Sequence, residues 1–414
     1  MDISELKRTR RNLDRFLRKF ADCIRDSRSR RHLKTYVAGQ VGSLERKSVE
    51  PIALRAKVPP RTLQEFLSLH RWKWTGMRDR VQEHVIHEHP DENAIAVIDE
   101  TGCAKKGDKT AGVQRQYCGA TGKIDNCVVS VHLGYATNDF HTLLDSDLYL
   151  PETWCADAER RRKAHIPDSV VYRPKWRIAL DELEYATKNG VHFRFLTADE
   201  EYGGTGAFRQ GVADLGLCYV VEIPRLLTGW TRRPRVPETP EYGGRGRRPT
   251  RVRLAAGAKP ARRVEKLWRR GGPSWHMFHI KDSEKGPVVW EARATRFWAA
   301  EEGLPATEGW LIVARNVLDG EVKYFLSNAP ADTPVELLLH VAFSRWHIER
   351  EFEDSKGEVG FDHFEVRGYP AVMHHFTLSL VSLLFLAEER DRLGGGKKGV
   401  EPASGPNGRR GPTG

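Results

Sequence analysis

Ala94-Ile95-Ala96-Val97-Ile98-Asp99-Glu100-Thr101-Gly102 is the stretch on which the fold turns. Its apolar run is short, continuous and rich in β-branched residues. Such a run bounded by turn residues predicts a buried strand. Asp99 closes the run, and Thr101-Gly102 follow as an expected turn. A carboxylate at the end of a buried strand is placed for chemistry, because the sheet fixes its direction while the loop leaves it accessible. The pattern recurs downstream. Val191-His192-Phe193-Arg194-Phe195-Leu196-Thr197-Ala198 leads into Asp199, and Glu200-Glu201-Tyr202-Gly203-Gly204 follow as a glycine turn. Either aspartate taken alone reads more readily as a turn former or a helix cap. They gain weight from a third acid near the C-terminus.

That acid lies in Arg345-Trp346-His347-Ile348-Glu349, with Lys356 further on. On one helix Arg345, Glu349 and Lys356 fall at about 0°, 40° and 20°, which puts them on one narrow face. Trp346 and Ile348 lie off that face and Phe352 borders it, and the three are expected to anchor the helix in a core. The bland reading is an i,i+4 ion pair on a solvated surface, which is common. The chemical reading is a carboxylate flanked by two cations, suited to holding a metal ion beside phosphates. Three carboxylates on rigid elements make a site for hard divalent cations. Mg²⁺ prefers oxygen ligands, and a few carboxylates plus substrate phosphates complete its shell. Two such ions, roughly 3.5–4 Å apart, serve nucleases, polymerases and DNA strand transfer.

These residues carry a resemblance. Arg345-x3-Glu349-x6-Lys356 matches three of the four letters of the tyrosine–arginine–glutamate–lysine signature found in the insertion-sequence-4 group of DDE transposases. Ala342 stands where the signature has tyrosine, so the phosphate contact made by that tyrosine is not expected here. Val97-Ile98-Asp99-Glu100-Thr101-Gly102, Gly112-Val113-Gln114-Arg115-Gln116-Tyr117, Leu148-Tyr149-Leu150-Pro151 and the Asp199…Tyr202-Gly203 turn resemble the 701-type branch of those bacterial elements. The resemblance covers roughly residues 15–388. It implies an RNase H-like core with Asp99, Asp199 and Glu349 as the metal-binding triad. It also implies two Mg²⁺ ions, with Mn²⁺ able to substitute.

Bulk properties agree with a polyanionic partner. The chain has 414 residues, with 67 Lys plus Arg against 56 Asp plus Glu, a net charge of +11 and a pI near 9.3. The positive charge is clustered over Lys7–Lys19, Arg28–Lys34 and Arg225–Arg270. The last holds the pairs Arg232-Arg233, Arg247-Arg248, Arg262-Arg263 and Arg269-Arg270. Neutralising several phosphates in this way makes binding steeply salt-dependent. The six cysteines form no Cys-x-x-Cys pair, so a zinc site or a disulfide framework is not expected and a reducing cytoplasm is. The N-terminus lacks the apolar core of a signal peptide. The stretch Phe376–Ala387 is too short to span a bilayer and reads as a core helix. His84, His87 and His89 cluster before Pro90, which reads as a helix end rather than a metal site.

Along the chain, residues 1–92 read as a helical domain. Leu6, Leu13, Phe16 and Phe20 form its first stripe, and Ser48 is an expected N-cap. A break at Val58-Pro59-Pro60-Arg61 is followed by a helix from Thr62. With the basic aromatic run His70-Arg71-Trp72-Lys73-Trp74, this suggests a helix-turn-helix reader of DNA. A plain helical packing domain is the alternative. Residues 93–223 read as the first part of the core. Three strands, Ala94–Ile98, Arg115–Cys118 and Cys127–Ala136, resemble a meander. A helix at Lys175–Lys188, the Asp199 strand, a helix at Ala207–Leu215 and a strand at Cys218–Ile223 follow.

Residues 224–308 read as a basic insertion, loop to Arg270 and then strands at Trp275–Lys281 and Val288–Phe297. An aromatic residue here could stack on a flipped base, worth roughly 1–3 kcal/mol. Trp298, near a basic turn, is the candidate, although packing is the commoner role for any one tryptophan. Residues 309–390 resume the core with strands at Trp310–Arg315 and Tyr324–Ser327. Thr333-Pro334-Val335-Glu336 has the form of a capping box, a break is expected near Phe343, and the last helix spans Pro370–Arg390. Residues 391–414 form a tail, and from 394 it is rich in Gly, Pro and Lys and reads as disordered.

The expected fold is therefore α/β. It has an RNase H-like mixed sheet with flanking helices, interrupted by a β-rich insertion and preceded by an all-α N-terminal domain. The expected function is a cut-and-paste transposase acting on double-stranded DNA, as a homodimer in the DNA complex, with no membrane partner. Arg345 and Lys356 are expected to grip phosphates. The rival readings are an RNase H-like nuclease without strand transfer and a domesticated DNA-binding protein that no longer catalyses.

Overall fold

The computed structural model describes residues 3–240, 247, 250–268, 271–283 and 286–394. The side chain of Leu6, Arg248, the Arg269-Arg270 pair and the tail from 395 lie outside the described residues.

Five helices open the chain: α1 (Ile3–Arg18), α2 (Ser27–Gln40), α3 (Val49–Arg55), α4 (Pro60–Ser68) and α5 (Trp74–Glu88). Asp26 caps α2 by accepting from the Ser29 amide at 2.7 Å. Pro60 starts α4, where a missing amide hydrogen costs nothing. Ser48 occupies the N-cap of α3, but its side chain makes no capping bond. Leu13, Phe16 and Leu17 are buried as the inner stripe of α1, and Phe20 is buried in the turn just after it. In the aromatic run after α4, Trp72 turns inward while Arg71 and Lys73 stay exposed. Trp72 is 5% exposed and stacks on His374 with ring centroids 3.8 Å apart. Its indole donates to the Phe66 carbonyl, so its polar edge is also satisfied. The histidine cluster divides in the same way. His84 is buried against Glu388, and His89 stacks on Phe140 at 3.7 Å.

The middle of the chain forms β1 (Ile95–Ala104), β2 (Gln114–Cys118), β3 (Lys123–Ala136), β4 (His141–Leu148), α6 (Glu152–Ala156), α7 (Ala158–Lys163), α8 (Lys175–Lys188), β5 (Phe195–Ala198), α9 (Glu200–Gly203), α10 (Gly206–Asp214) and β6 (Cys218–Glu222). Next come β7 (Thr228–Trp230), β8 (Arg262–Arg263), β9 (His276–Ser283), β10 (Gly286–Glu301), β11 (Leu304–Asn316) and β12 (Val322–Ser327). The chain closes with α11 (Val335–Phe343), α12 (Trp346–Gly357) and α13 (Tyr369–Arg392).

Among the described residues twelve strands join in one mixed sheet, in the order β2-β3-β1-β5-β6-β12-β11-β10-β7-β8, with β4 on β3 and β9 on β10. The pairs β1–β5 and β5–β6 are parallel, and the others are antiparallel. This is the RNase H-like α/β arrangement with a helical N-terminus. The β-rich segment continues the same sheet, because β12 pairs with β6 at Phe325↔Glu222. Strand β11 runs unbroken across residue 308, and the stretch expected as loop contributes the short strands β7 and β8.

Three local readings are corrected. Strand β1 does not stop at Asp99. It continues to Ala104 because β3 pairs with it throughout, from Ile95↔Ala136 to Ala104↔Cys127. Thr101-Gly102 are therefore strand rather than turn, and Gly102 is there for close approach. A Cβ on it would lie 2.7 Å from the Cys118 sulfur. Strand β4 was not expected, since Asp145-Ser146-Asp147 breaks any apolar run. Its buried Asp145 is accommodated by Arg78 of α5 at 3.0 Å. At the start of α11, Pro334 is the N-cap and makes no side-chain capping bond, so Thr333 lies just outside the expected box.

Helix α13 is longer than its apolar stretch suggests. At 24 residues it passes the length and composition test for crossing a membrane, yet it is largely buried in the fold. It packs on α2, α4, α5 and β4. Polar pairs set its register against α2. Tyr36 bonds His375 Nδ1 at 2.9 Å, Gln40 donates to Ser379 at 2.8 Å, and Ser382 donates to Gln40 at 2.8 Å. Buried groups such as these are stabilising only while every partner is present.

Candidate active site

The parallel register Ile95↔Phe195 through Ile98↔Ala198 decides the geometry of the acids. It carries β1 and β5 in step to Asp99 and Asp199, the next residue on each chain. Strand β5 ends there. Asp199 turns out of the sheet as the N-cap of α9, and its Oδ1 accepts from the amides of Glu201 at 2.9 Å and Tyr202 at 3.3 Å. A cap role and a ligand role are compatible, since only one oxygen is engaged in these bonds. The glycines after it act by lacking a Cβ, not by a left-handed turn. A Cβ on Gly203 would lie 1.9 Å from the Glu222 carbonyl oxygen, so α9 can seat against β6 only with glycine there.

Asp99 is largely enclosed, with 14% of its side chain left exposed. Its Oδ1 accepts from the Glu100 amide at 2.8 Å, and its Oδ2 accepts from Arg345 Nη1 at 2.9 Å. Burial pushes its carboxyl up to about 7. The Arg345 guanidinium opposes this rise and the negative Asp199 adds to it. Burial also raises Asp199 above the ordinary carboxylate range, against the Tyr202 amide bond and Arg345.

The third acid arrives differently. Helix α11 ends at Phe343, Ser344 bonds back to the His340 carbonyl at 2.7 Å, and α12 begins at Trp346. The expected break is present. It places Arg345 at the N-cap of α12 rather than within a continuous helical face. From there the guanidinium forks. One nitrogen meets Asp99, and the other meets Glu349 Oε1 at 2.7 Å. Glu349 is 55% exposed in its side chain. Lys356, at the other end of α12, donates to Thr101 Oγ1 at 2.7 Å. Helix α12 thus grips β1 at two points. Of the expected anchors, Ile348 is buried at 1% exposure and Phe352 is half-buried. Trp346 is exposed and stacks on His347 at 4.0 Å, because its position falls on the outer side of the first turn. Ala342 is buried in α11, in the apolar cluster that includes Ile348.

The structure therefore sets Asp99 beside Asp199 and links Glu349 to them through Arg345. Among the described residues no three His, Cys, Asp or Glu side chains already converge closely enough to hold a metal ion. Trp298 lies elsewhere. It is half-buried at a bulge in β10, opposite Trp230 of β7 and Glu308 of β11, four strands from β5. Sequence reasoning missed Glu222, the last residue of β6, which faces Arg345 with its charge and pairs with Lys323 at 3.1 Å. It also missed Glu100, Tyr202 and Lys175 behind the aspartates. The one signal for Glu100 was its place next to Asp99, which sends its side chain through to the other face of the sheet.

A family model described as DDE superfamily endonuclease matches residues 19–282, well over half of the chain. The chain belongs to the DDE superfamily of endonucleases. The match spans Asp99 and Asp199 and stops before Glu349. This DDE endonuclease is also similar to the probable transposase for insertion sequence element IS701 of Microchaete diplosiphon. The two are 25% identical over 368 residues, 87% of this chain and 83% of that one. The two matches together support the likeness to insertion-sequence DDE transposases drawn from the motifs.

Superfamily membership implies a divalent metal, and the donor set fits one. Asp99 and Asp199 are hard oxygen donors, side by side and partly buried, each held above its ordinary ionisation range by desolvation. A divalent cation relieves this cost by neutralising both.

Proposed function

We propose that this DDE endonuclease is a cut-and-paste transposase that cleaves at the ends of an insertion sequence and joins the freed 3′-hydroxyl to target DNA. The observation that carries the reading is the register that brings Asp99 and Asp199 together, with Arg345 tying Glu349 to the same place. Asp99, Asp199 and Glu349 would hold two Mg²⁺ ions, for which Mn²⁺ can substitute. When bound, such ions activate an attacking water or hydroxyl and stabilise the leaving oxygen.

The other groups position DNA. Arg345 offers a planar fork and Lys356 a point charge for phosphates beside the scissile bond. Residues 1–92 serve DNA recognition, 93–223 and 309–390 the catalytic core, and 224–308 a basic insertion in which Trp298 stacks a base. Residues 391–414 remain outside these roles as a tail. Two element ends must be paired, so the active form is a homodimer on double-stranded DNA, working in the bacterial cytoplasm.

The direct test uses Glu349→Gln. The variant should still shift element-end DNA on a gel and should no longer cut it in Mg²⁺. Retained cutting removes Glu349 from the triad. Supplying pre-cut ends with a free 3′-hydroxyl then separates transposase from plain nuclease, since only a transposase joins them to a target plasmid.

A further inference from the structure

Behind the two aspartates, on the opposite face of the sheet, lies a second set of polar contacts with no part in the roles assigned above. Glu100 follows Asp99 in β1, so its side chain emerges on the far face. There it meets Tyr202, the third residue after Asp199. Tyr202 is fully buried, and its hydroxyl donates to Glu100 Oε2 at 2.6 Å. The backbone amide of the same tyrosine donates to the Asp199 carboxylate at 3.3 Å. Lys175, at the start of α8, donates to the other Glu100 oxygen and pairs with Glu201 at 3.0 Å. Both oxygens of Glu100 are thereby engaged, which leaves it a strut rather than a further ligand.

We propose that Glu100 and Tyr202 form a positioning bridge that fixes Asp99 and Asp199 relative to each other, so that the two carboxylates take up a divalent cation as one unit. The proposal rests on the reading of both aspartates as metal ligands. The bridge runs through the β1 backbone from Asp99 to Glu100, across the carboxylate to the Tyr202 hydroxyl, and back through the Tyr202 amide to Asp199. The close approach of Gly203 seats α9 on β6, and the Glu100–Tyr202 bond adds a direct tie from α9 to β1. Hydrogen bonds outside the ligand shell orient ligands in metal sites generally, and their loss typically costs about 10–100-fold in affinity. Tyr202 also packs against Phe208 with centroids 5.6 Å apart. A purely structural role in that packing survives the loss of the hydroxyl.

The test is a calcium titration of the full chain, read by thermal shift, with calcium standing in for the catalytic ion. Tyr202→Phe keeps the ring and removes the bond. Glu100→Met keeps the length and removes the acceptor. Each should weaken calcium about tenfold or more. The double variant should be no more than about twofold weaker than the worse single, because both break one bond. Asp199→Asn is run alongside. If it binds calcium like the unaltered chain, the metal-ligand reading fails and the bridge with it. If it loses calcium while Tyr202→Phe does not, the bridge alone fails. Losses that multiply in the double variant also overturn the bridge, since they mean two separate effects. Should one single variant fail to melt cooperatively, the other decides, as each breaks the same bond.

Discussion

Asp99 and Asp199 stand on neighbouring parallel strands, and Glu349 stands on a helix that reaches them across a break. The aspartates are partly buried, and their places at the strand ends follow from a register that cannot slip by one residue without turning every side chain of the strand to the other face. Glu349 is half-exposed and is paired with Arg345, at the start of a helix that meets β1 through two polar side-chain contacts and the buried Ile348. One half of the site is built into the sheet. The other half docks onto it. If the three acids are ligands as proposed, a site divided in this way keeps a finished scaffold for two of them while the third is brought in by the geometry of a helix pair.

The largest expected effects separate the two halves directly. Asp199→Ala and Glu349→Ala should each lower DNA cleavage on the order of 10³-fold or more if both are ligands, since residues that act as a unit lose most of their effect together. Stability should not follow activity. Asp199 also caps α9, so its loss should cost about 1 kcal/mol or somewhat more. Glu349 gives up an exposed i,i+4 pair worth about 0.3–0.5 kcal/mol. Urea unfolding of both variants without metal checks this. Equal stability losses would mean that Glu349 is as deeply built in as Asp199.

A second expectation concerns pH in the absence of metal. The Asp99 carboxyl is raised from 3.8 to about 7 by burial, so between those values the folded chain holds a proton that the unfolded chain has released. The stability contributed by that proton is fully present below about pH 4 and is lost as pH rises through about 7. A tenfold difference in proton affinity between the folded and unfolded chain corresponds to about 1.4 kcal/mol. Allowing for Arg345 and for a side chain that keeps 14% of its surface in water, a slope totalling on the order of 2 kcal/mol is expected. Asp99→Asn should flatten that part of the profile and leave the chain more stable than the parent at pH 8. Unfolding curves from pH 4 to pH 8 give the answer. A variant profile parallel to the parent's would show that the sheet half carries no such cost.

How much of this was legible follows the same division. The apolar runs before Asp99 and Asp199 announce buried strands, because burial on both faces selects continuous β-branched sequence. The ends of those strands were harder to read. Thr101-Gly102 has the composition of a turn, and only the partner strand β3 shows that β1 continues and that the glycine makes room for Cys118. Strand β4 was illegible because its buried Asp145 is explained only by Arg78, a residue of a distant helix. Glu349 was found by spacing, which took Arg345 to lie within the helix after the expected break, whereas it stands at that helix's N-cap. The inward turn of Trp72 could not be read from its basic neighbours, since its stacking on His374 depends on a helix some three hundred residues later. Contacts between distant segments set these features, and no local pattern encodes them.

The smallest expected effect tests how firmly the docked half is held. Thr101 is 5% exposed, and its hydroxyl accepts from Lys356 at 2.7 Å, joining the far end of α12 to β1. Thr101→Val keeps the β-branched shape that suits a strand and removes the acceptor. Leaving a cationic donor without its partner should cost about 1 kcal/mol, toward the upper end of the range for hydrogen bonds to charged groups only if water cannot reach the amine. Lys356 is half-buried, so water can reach it and the lower figure applies. The effect on DNA is the more telling one. If Thr101 aims Lys356 at a phosphate, Thr101→Val should weaken end binding severalfold and leave the salt dependence unchanged, because the charge is still present but no longer aimed. Lys356→Met removes the charge itself and should lower the slope of log affinity against log salt by about 0.9. Thr101→Ser, which restores an acceptor without the methyl group, should recover most of the binding. If Thr101→Val and Lys356→Met change the salt slope alike, the threonine does more than aim the amine. If Thr101→Val changes stability and not binding, the contact serves only to seat α12 on the sheet, beside Arg345 and the buried Ile348.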